Sequence, residues 1–268
     1  MAKTIIITGA SDGIGRETAK ALHAEGHKVV VVGRSKEKTK AVADELKAPY
    51  YLSDFADLSS VRTLAKDLNK NYPTIDMLYN NAGLLAPQER VETKDGHELT
   101  FQVNHLAPFL LTTLLMGTLV KSKARVINTA SVAHKSGDID LDNLDMEKGY
   151  KSFKAYGNSK LSNILFTREL VSRYGDKGIE AVCFHPGVVK TSFASKSGGI
   201  VGFFYTGIIS RFMLSSAKGA DTMIWLASAS DIEQGGYYHK RKLASTTKHA
   251  RNSSLATKLW NKSESLLS

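Results

Sequence analysis

Short runs of β-branched and apolar residues alternate along this chain with longer stretches in which apolar positions recur at helical spacing. The short runs predict seven strands, at residues 4–8, 28–32, 50–53, 75–79, 125–128, 180–184 and 236–239. The longer stretches predict helices at 13–25, 36–46, 59–71, 98–120 (with a kink at Pro108), 152–174, 215–229 and, as an amphipathic tail, 251–267. This alternation predicts an α/β fold with a doubly wound, seven-stranded parallel sheet and helices on both faces.

The size and composition of the chain favour one large domain. Its 268 residues, 42% of them hydrophobic, are enough to bury a substantial core, and no Pro/Gly/Ser-rich linker divides them. The one cysteine, Cys183, excludes an internal disulfide framework and a cysteine-cluster metal site, and its apolar neighbours favour a buried thiol over a reactive one. We therefore expect a single domain over residues 1–268.

The sequence argues against metal, nucleic-acid and membrane partners. The acidic segment 138–147 resembles a calcium loop only superficially, because Asn143 stands where that loop needs glycine and Gly149 where it needs glutamate. The net charge of +10 weakly suggests an anionic ligand, but the basic run at 239–251 lacks interleaved aromatic residues and favours a solvated face. The chain begins with a strand rather than a targeting peptide, and its longest apolar run, 106–120, is too short to span a bilayer. These features predict a soluble, cytoplasmic protein without a metal site.

A glycine-rich turn joins the first predicted strand to the first predicted helix. It covers Gly9–Gly15 and has the spacing G-x-x-x-G-x-G. Glycines permit a tight turn and let the backbone approach a pyrophosphate at the helix N-terminus, where free N–H groups and the helix dipole favour anions. The position of the turn between a strand and a helix predicts nucleotide binding.

The end of the second predicted strand indicates which dinucleotide would bind. A carboxylate there would accept hydrogen bonds from the adenosine ribose of NAD, and none stands at 32–35. Arg34, with Ser35, Lys36 and Lys38 nearby, instead offers a guanidinium fork that suits a 2′-phosphate. These residues favour NADP over NAD; the alternative is a solvated basic turn.

Polar residues also follow the third and fourth predicted strands. Asp54 either meets the adenine amine, with Phe55 flanking the ring, or caps the next helix. The run Asn80–Gly83 can crosslink neighbouring strand ends and bring the backbone close to a cofactor. Because all these segments follow strands of one parallel sheet, we expect them to converge at its carboxyl edge, where such sheets bind ligands.

The main candidates for chemistry are Tyr156 and Lys160, together with Ser131 upstream. Residues four apart on a helix share a face, so the phenol and the ammonium would point into one site. Free tyrosine titrates near ~10, and its pKa must fall by roughly 2–3 for useful proton transfer at neutral pH. A cation at roughly 4–5 Å supplies about that much. The same spacing also occurs in ordinary surface neighbours.

Two features after the sixth predicted strand bear on substrate binding. His185, which precedes Pro186 and Gly187, is interpreted as a structural turn histidine rather than a ligand. The segment 197–214 is apolar and glycine-rich without clean periodicity, which favours either packing onto the core or a mobile lid over an apolar pocket. We place this substrate-side lid at 190–214.

Taken together, these residues resemble the short-chain dehydrogenase/reductase family. The matching elements, which span nearly the entire chain, are Thr8-Gly9-Ala10-x-x-Gly13-Ile14-Gly15, Asn80-Asn81-Ala82-Gly83, Asn104, Ser131, Tyr156-x-x-x-Lys160 and Pro186-Gly187. Finer features at 131–134, 156–163, 185–189 and 250–260 resemble the branch that contains retinol dehydrogenases. The resemblance implies a single Rossmann-type NADP-binding domain.

The resemblance also implies roles for individual residues. Tyr156 would protonate the carbonyl oxygen as hydride arrives, Lys160 would lower the tyrosine pKa and hold the nicotinamide ribose, and Ser131 would donate a hydrogen bond to the substrate oxygen. Asn104, through its backbone carbonyl and a water, would connect the lysine to solvent. Besides Tyr156 and Lys160, the implied NADP site comprises Gly9, Ser11, Asp12, Gly13, Ile14, Gly15, Arg34, Asp54, Phe55, Asn81, Ala82, Gly83, Pro186, Gly187, Val189 and Thr191.

We interpret the sequence as that of an NADP(H)-dependent oxidoreductase that acts on a small, lipophilic carbonyl or alcohol, as a carbonyl reductase does. The alternative is a catalytically silent NADP(H)-binding sensor or scaffold. It is less favoured, because family members of that kind typically lose the tyrosine or the lysine. The apolar helices near 106–120 and 156–174 would form either a homodimer seam or part of the core.

Overall fold

A mostly parallel sheet organises the fold, and the computed structural model describes residues 2–187 and 214–268. Its strands are β1 (Thr4–Thr8), β2 (Lys28–Gly33), β3 (Tyr50–Leu52), β4 (Met77–Asn80), β5 (Arg125–Thr129), β6 (Glu180–His185), β7 (Tyr237–His239) and β8 (Lys242–Leu243). They lie in the order β3-β2-β1-β4-β5-β6-β7-β8, and each neighbouring pair except β7–β8 is parallel. The strand order reverses between β1 and β4, where such sheets open a ligand crevice. The seven predicted strands are confirmed.

Helices cover both faces of this sheet. The α-helices in the described residues are α1 (Gly13–Ala24), α2 (Lys36–Leu46), α3 (Leu58–Asn71), α4 (Leu99–Phe101), α5 (Ala107–Leu114), α6 (Met116–Lys121), α7 (Ser152–Tyr174), α8 (Ser216–Trp225) and α9 (Ser253–Leu266). A π turn lies at Gln102–Leu106, and 3₁₀ turns lie at Val132–Ser136, Gly175–Lys177 and His249–Arg251. The predicted bounds of α2 and α7 are confirmed at both ends.

The central strands are buried on both faces, which explains why apolar residues occupy consecutive positions along them, such as Ile5–Ile7 on β1. On β1, Ile6 faces a layer formed with α3, α5 and α7, whereas Ile5 and Ile7 face a layer formed with α1, α2 and α8. All three side chains are fully buried. This alternation follows from the two-residue period of a strand, and it leaves the carboxyl ends of the strands as the place where polar residues meet.

The short strand β8 is an addition to the predicted sheet. It runs antiparallel to β7, and the two residues between them, Lys240 and Arg241, have φ values of 51° and 59°. Positive φ at both positions is the type I′ hairpin geometry, which ordinarily carries Asn-Gly or Gly-Gly. Because a Lys-Arg pair has no such preference, the sequence contains no hairpin signal at this point.

The continuous helix predicted at 98–120 is wrong, because the segment is broken into α4, the π turn, α5 and α6. Pro108 lies in the first turn of α5. Its ring nitrogen has no hydrogen, so it cannot donate the α-helical bond to the carbonyl four residues earlier, that of Asn104. The predicted change of geometry therefore occurs in the π turn before the proline, and that turn carries Asn104.

The tail helix α9 completes the core with an aromatic cluster. Trp260 is 2% exposed. Its ring centroid lies 4.8 Å from that of Phe109 on α5 and 5.7 Å from that of Phe166 on α7, and the Arg173 guanidinium lies 4.8 Å from the same ring. Packing against α9 thus buries apolar side chains of α5 and α7 in the core. A homodimer through these helices stays a prediction.

Replacing Trp260 by alanine should lower the free energy of unfolding by about 3–5 kcal/mol, because the change leaves a cavity between Phe109 and Phe166. Urea denaturation followed by circular dichroism measures this loss. Lys258→Ala, on the exposed side of the same helix, should change the value by less than about 0.5 kcal/mol. Equal losses in the two variants would contradict the place of α9 in the core.

Candidate functional site

A cavity of about 1240 Å³ lies along the carboxyl ends of strands β1 to β6. The predicted site residues that line it are Gly9, Ser11, Asp12, Gly13, Ile14, Gly15, Arg34, Asp54, Phe55, Asn81, Ala82, Gly83, Ser131, Tyr156, Lys160, Pro186 and Gly187. We call the part that contains Ser131, Tyr156 and Lys160 the reacting end, and the part that contains the glycine turn, Arg34 and Asp54 the opposite end. Val189, Thr191 and the predicted lid apart from Leu214 lie outside the described residues.

Close backbone packing explains the glycines of the turn between β1 and α1. Gly9 has a φ of 66°, and a Cβ on it would lie 2.8 Å from the Cα of Ala82. A Cβ on Gly15 would lie 2.3 Å from the carbonyl oxygen of Gly9. The glycines therefore let the turn lie against the segment after β4 and leave backbone atoms to form the cavity wall at the N-terminus of α1.

The two asparagines after the fourth strand crosslink neighbouring strands, as predicted. Asn80 is buried, and its Nδ2 donates to Oδ1 of Asn128 on β5 at 2.9 Å. The Nδ2 of Asn81 donates to the carbonyl of Thr8 at the end of β1, also at 2.9 Å. These bonds hold together the carboxyl ends of β1, β4 and β5, on which the cavity depends.

Two cations follow β2 at the opposite end of the cavity, and each faces an acid. The Lys38 ammonium lies 2.6 Å from the Asp12 carboxylate, and the Arg34 guanidinium lies 3.9 Å from the Asp54 carboxylate. All four side chains are substantially exposed, so each pair contributes little to stability and can separate at low cost. Arg34 and Lys38 are therefore available to an anionic group that enters the cavity.

The structure excludes one of the two alternatives for Asp54. The residue that caps α3 is Asp57, whose carboxylate accepts from the backbone N–H groups of Ser59 and Ser60. Asp54 instead accepts from the N–H of Ala56 at 3.0 Å and lines the cavity. The capping alternative for Asp54 is wrong, because Asp57 lies directly before the helix and takes that position.

The reacting end brings together the three side chains predicted to carry chemistry. The Lys160 ammonium lies 5.5 Å from the centroid of the Tyr156 ring and donates to the Thr129 carbonyl at 3.2 Å. Burial lowers the pKa of Lys160 to about 8, since removal from water disfavours the charged form. The Ser131 hydroxyl oxygen accepts a hydrogen bond from the N–H of Ala133 at 3.2 Å, and this bond caps the 3₁₀ turn. The hydroxyl proton of Ser131 is not used in this bond.

A glycine contact fixes the 3₁₀ turn after Ser131 against α7. A Cβ on Gly157 would lie 2.4 Å from the Ser136 hydroxyl oxygen and 2.9 Å from the Ala133 carbonyl oxygen. Gly157 follows Tyr156 directly, so the contact sets the position of the serine relative to the phenol. The sequence analysis does not single out Gly157, because a helical glycine by itself does not reveal which backbone it touches.

Asn104 lies behind the cavity wall and braces it. Its Oδ1 accepts from the N–H of Leu84 at 2.8 Å, and its Nδ2 donates to the Leu84 carbonyl and to the Ser159 hydroxyl, both at 3.0 Å. A Cβ on Gly83 would lie 2.9 Å from Oδ1 of Asn104 and 3.6 Å from the Lys160 ammonium. Asn104 therefore ties the segment after β4 to the helix that carries Tyr156.

The apolar wall of the cavity was not predicted from the sequence; it is formed by Leu84, Leu85, Ala86, Pro87, Val103, Val132 and Phe153. These residues come from four segments that are distant in sequence, so no periodic pattern marks them. His185, predicted to be structural, also lines the cavity and stacks on His239 with centroids 4.9 Å apart. Burial, reinforced by nearby basic groups, lowers the pKa of His185 to about 4 and so keeps it neutral at pH 7.

The comparison with known families agrees with this geometry. A sequence profile of the short chain dehydrogenase family matches residues 3–198. The chain belongs to the short-chain dehydrogenase family. Within the described residues of this short-chain dehydrogenase, no helix has both the length and the apolar character that a bilayer crossing requires.

Individual relatives of this short-chain dehydrogenase are similar over most of their length. A proposed daunorubicin C-13 ketoreductase, DnrU, of Streptomyces sp. (strain C5) is 40% identical over 97% of this chain and 91% of the relative. Retinol dehydrogenase 12 of Mus musculus is 38% identical over 99% of this chain and 86% of the relative. A proposed short chain dehydrogenase from Shigella flexneri 2a str. 301, solved with NADP, has a TM-score of 0.68 at 26% identity, over 88% of this chain and 95% of the other.

The buried ammonium of Lys160 should make stability depend on pH. Its pKa is about 8 in the folded protein and about 10.4 in an unfolded chain, so between these values the unfolded state binds more protons and stability rises with pH. The unfolding free energy of the wild type relative to Lys160→Met should therefore increase by about 2–3 kcal/mol from pH 7 to pH 10, without cofactor. Urea titrations at several pH values measure it.

The matched control is Lys121→Met, which removes a cation from the exposed end of α6. It should lack the pH-dependent change that Lys160→Met produces. A constant difference between wild type and Lys160→Met across this range would show that the ammonium is solvated in the folded protein.

Proposed function

We propose that this protein is an NADP(H)-dependent oxidoreductase that reduces a lipophilic ketone or aldehyde. The observation that carries the proposal is one cavity with Ser131, Tyr156 and Lys160 at its reacting end and the glycine turn and Arg34 at its opposite end. A volume of about 1240 Å³ exceeds that of most pockets for one small molecule. The cavity therefore fits a dinucleotide together with a substrate.

The reacting end has the groups needed for proton transfer to a carbonyl, while the cofactor would supply the hydride. The Tyr156 hydroxyl gives its proton to the substrate oxygen. The Lys160 ammonium, 5.5 Å from the ring centroid, stabilises the phenolate that remains. The Ser131 hydroxyl donates a hydrogen bond to the same substrate oxygen as negative charge develops on it. In the oxidative direction each proton moves the other way.

The break in the helix at Asn104 supports a route for proton resupply. Since Pro108 cannot donate to the Asn104 carbonyl in the α-helical manner, that carbonyl is suited to accept a hydrogen bond from water. Gly83, the neighbour of both the Asn104 side chain and the Lys160 ammonium, leaves space between them because it has no side chain. A water bound to the Asn104 carbonyl would then connect the lysine to solvent.

The two cations after β2 support NADP over NAD. Arg34 lines the opposite end of the cavity, as does Lys38, and no carboxylate follows β2 where NAD would need one. A 2′-phosphate would take the place of Asp54 beside Arg34 and of Asp12 beside Lys38. Exchange of an exposed carboxylate for a doubly charged phosphate strengthens both interactions, because charge-assisted bonds grow with anionic charge.

The apolar wall at the reacting end supports a lipophilic substrate. Val132 and Phe153 are 43% and 57% exposed, although both are large apolar side chains. Exposed apolar side chains beside a pocket are typical of a ligand-binding surface. The names of the relatives, a retinol dehydrogenase and a proposed daunorubicin C-13 ketoreductase, agree with substrates of this kind.

Tyr156→Phe should abolish NADPH oxidation with aldehydes and ketones, at least about 1000-fold in kcat, because the variant has no proton to give. NADPH binding, followed by cofactor fluorescence, should change by less than about threefold. The control Tyr51→Phe removes the same atom from a tyrosine that contacts Asn71 outside the cavity, and it should keep wild-type activity. Equal turnover by wild type and Tyr156→Phe would refute the role of the phenol.

Arg34→Met and Lys38→Met should each weaken NADPH binding about tenfold while NADH binding changes little, because each variant loses a charge-assisted contact to the 2′-phosphate. Dissociation constants for both cofactors, from fluorescence titration, measure this. Lys36→Met is the matched control, since Lys36 lies in the same turn without lining the cavity. Equal losses of affinity for NADPH and for NADH would argue against recognition of the 2′-phosphate by these residues.

A further inference from the structure

The charge at the reacting end of the cavity has one sign. The two carboxylates in the described lining, Asp12 and Asp54, both lie at the opposite end, where they face Lys38 and Arg34. At the reacting end the described lining contains the cations Lys135 and Lys160 and the neutral His185, with no Asp or Glu among them. Apolar walls focus the resulting positive potential. This end of the cavity therefore attracts anions.

Lys135 has a function in neither the fold nor the proposed proton transfer. It is exposed, and the structure gives it no carboxylate partner among the described residues. Asp138, the nearest acid along the chain, faces Lys154 at 3.6 Å and His249 at 3.9 Å instead. The lysine thus stands at the cavity with an unmatched charge.

The sequence of the remaining segment contains no acid that could balance this charge. Residues 188–213 contain three cations and no Asp or Glu. The unmatched positive charge beside the reacting end therefore has no counterpart in that segment. An anion that neutralises Lys135 must come from outside the chain.

The 3₁₀ turn sets the distance between Lys135 and the reacting groups. Ser131 begins the turn, and Lys135 follows four residues later at a rise of about 2 Å per residue, so about 8 Å separates them along the turn axis. Val132 and Phe153 line the cavity beside them. A substrate whose oxygen meets Ser131 can thus lay an apolar ring along this wall and present a second group to the lysine.

We propose that the preferred substrates are lipophilic carbonyl compounds that also carry an acidic group, about one aromatic ring away from the carbonyl, and that Lys135 selects them by pairing with this acid. The inference rests on the proposed reductase function, whose substrate class it narrows. The pairing is partly exposed to water, so it contributes specificity rather than large affinity.

The test compares two aldehydes that differ in charge, 4-formylbenzoate and its methyl ester. The ratio of their kcat/KM values with NADPH cancels any general effect of a substitution on turnover. Lys135→Met should lower the ratio of acid to ester about fivefold, and Lys135→Glu should lower it further, because it repels the carboxylate. Added salt should lower the ratio by a larger factor in the wild type than in Lys135→Met, because only the wild type has the Lys135 charge to screen.

A binding measurement separates this inference from the reductase function. Isothermal titration of both aldehydes into protein loaded with NADP⁺, which has no hydride to give them, reports anion preference without turnover, and a loss of that preference in Lys135→Met supports the inference alone. The matched control Lys121→Met, a lysine outside the cavity lining, should keep the wild-type ratio. An acid-to-ester ratio that is the same in wild type and Lys135→Met, in binding or in turnover, overturns the inference.

Discussion

The buried ammonium of Lys160 is the interaction on which the site depends. A cation removed from water is costly unless the surrounding structure holds a partner in place, and here the partner is the Thr129 carbonyl at the end of β5. Gly83 lies nearby, without a side chain that would fill the space between Asn104 and the ammonium. Lys160 is 3% exposed, and its bond to Thr129 holds the charge beside the Tyr156 ring. The end of β5 and helix α7 are therefore both needed to hold the positive charge of Lys160 beside Tyr156.

The elements of the fold differ in how well the sequence predicts them. The bounds of α2 and α7 follow from local signals, a capping serine before Lys36 and helical spacing from Ser152 onward, so both helices agree with the prediction. β8 and the π turn at 102–106 were not predicted, although both arise from nearby residues. The Lys240–Arg241 turn has positive φ values that its residue types disfavour, so no turn signal marks β8. The π turn lies before Pro108, whereas the kink was predicted at the proline itself.

In the candidate site, the sequence predicts contacts between neighbouring residues better than contacts between distant segments. Tyr156 and Lys160 are four residues apart, so helical geometry alone places them together. The ion pair of Asp12 and Lys38 joins the residue that caps α1 to a residue of α2, and no sequence spacing predicts it. The apolar wall was equally unpredictable, since Phe153 comes from a different helix than the 3₁₀ turn it adjoins. Sequence therefore locates the reacting groups well and the surfaces that select ligands poorly.

The Gly157 contact divides the site into two parts that differ in how freely they can change. Any side chain at Gly157 would collide with Ser136 and Ala133, so the junction between α7 and the 3₁₀ turn admits almost no substitution. Val132 and Phe153 are half-exposed and contribute little to stability, so replacement of either is thermodynamically cheap. Evolution can therefore alter what this scaffold accepts while its proton-transferring centre stays constant, which makes substrate range the property most free to diverge between related chains.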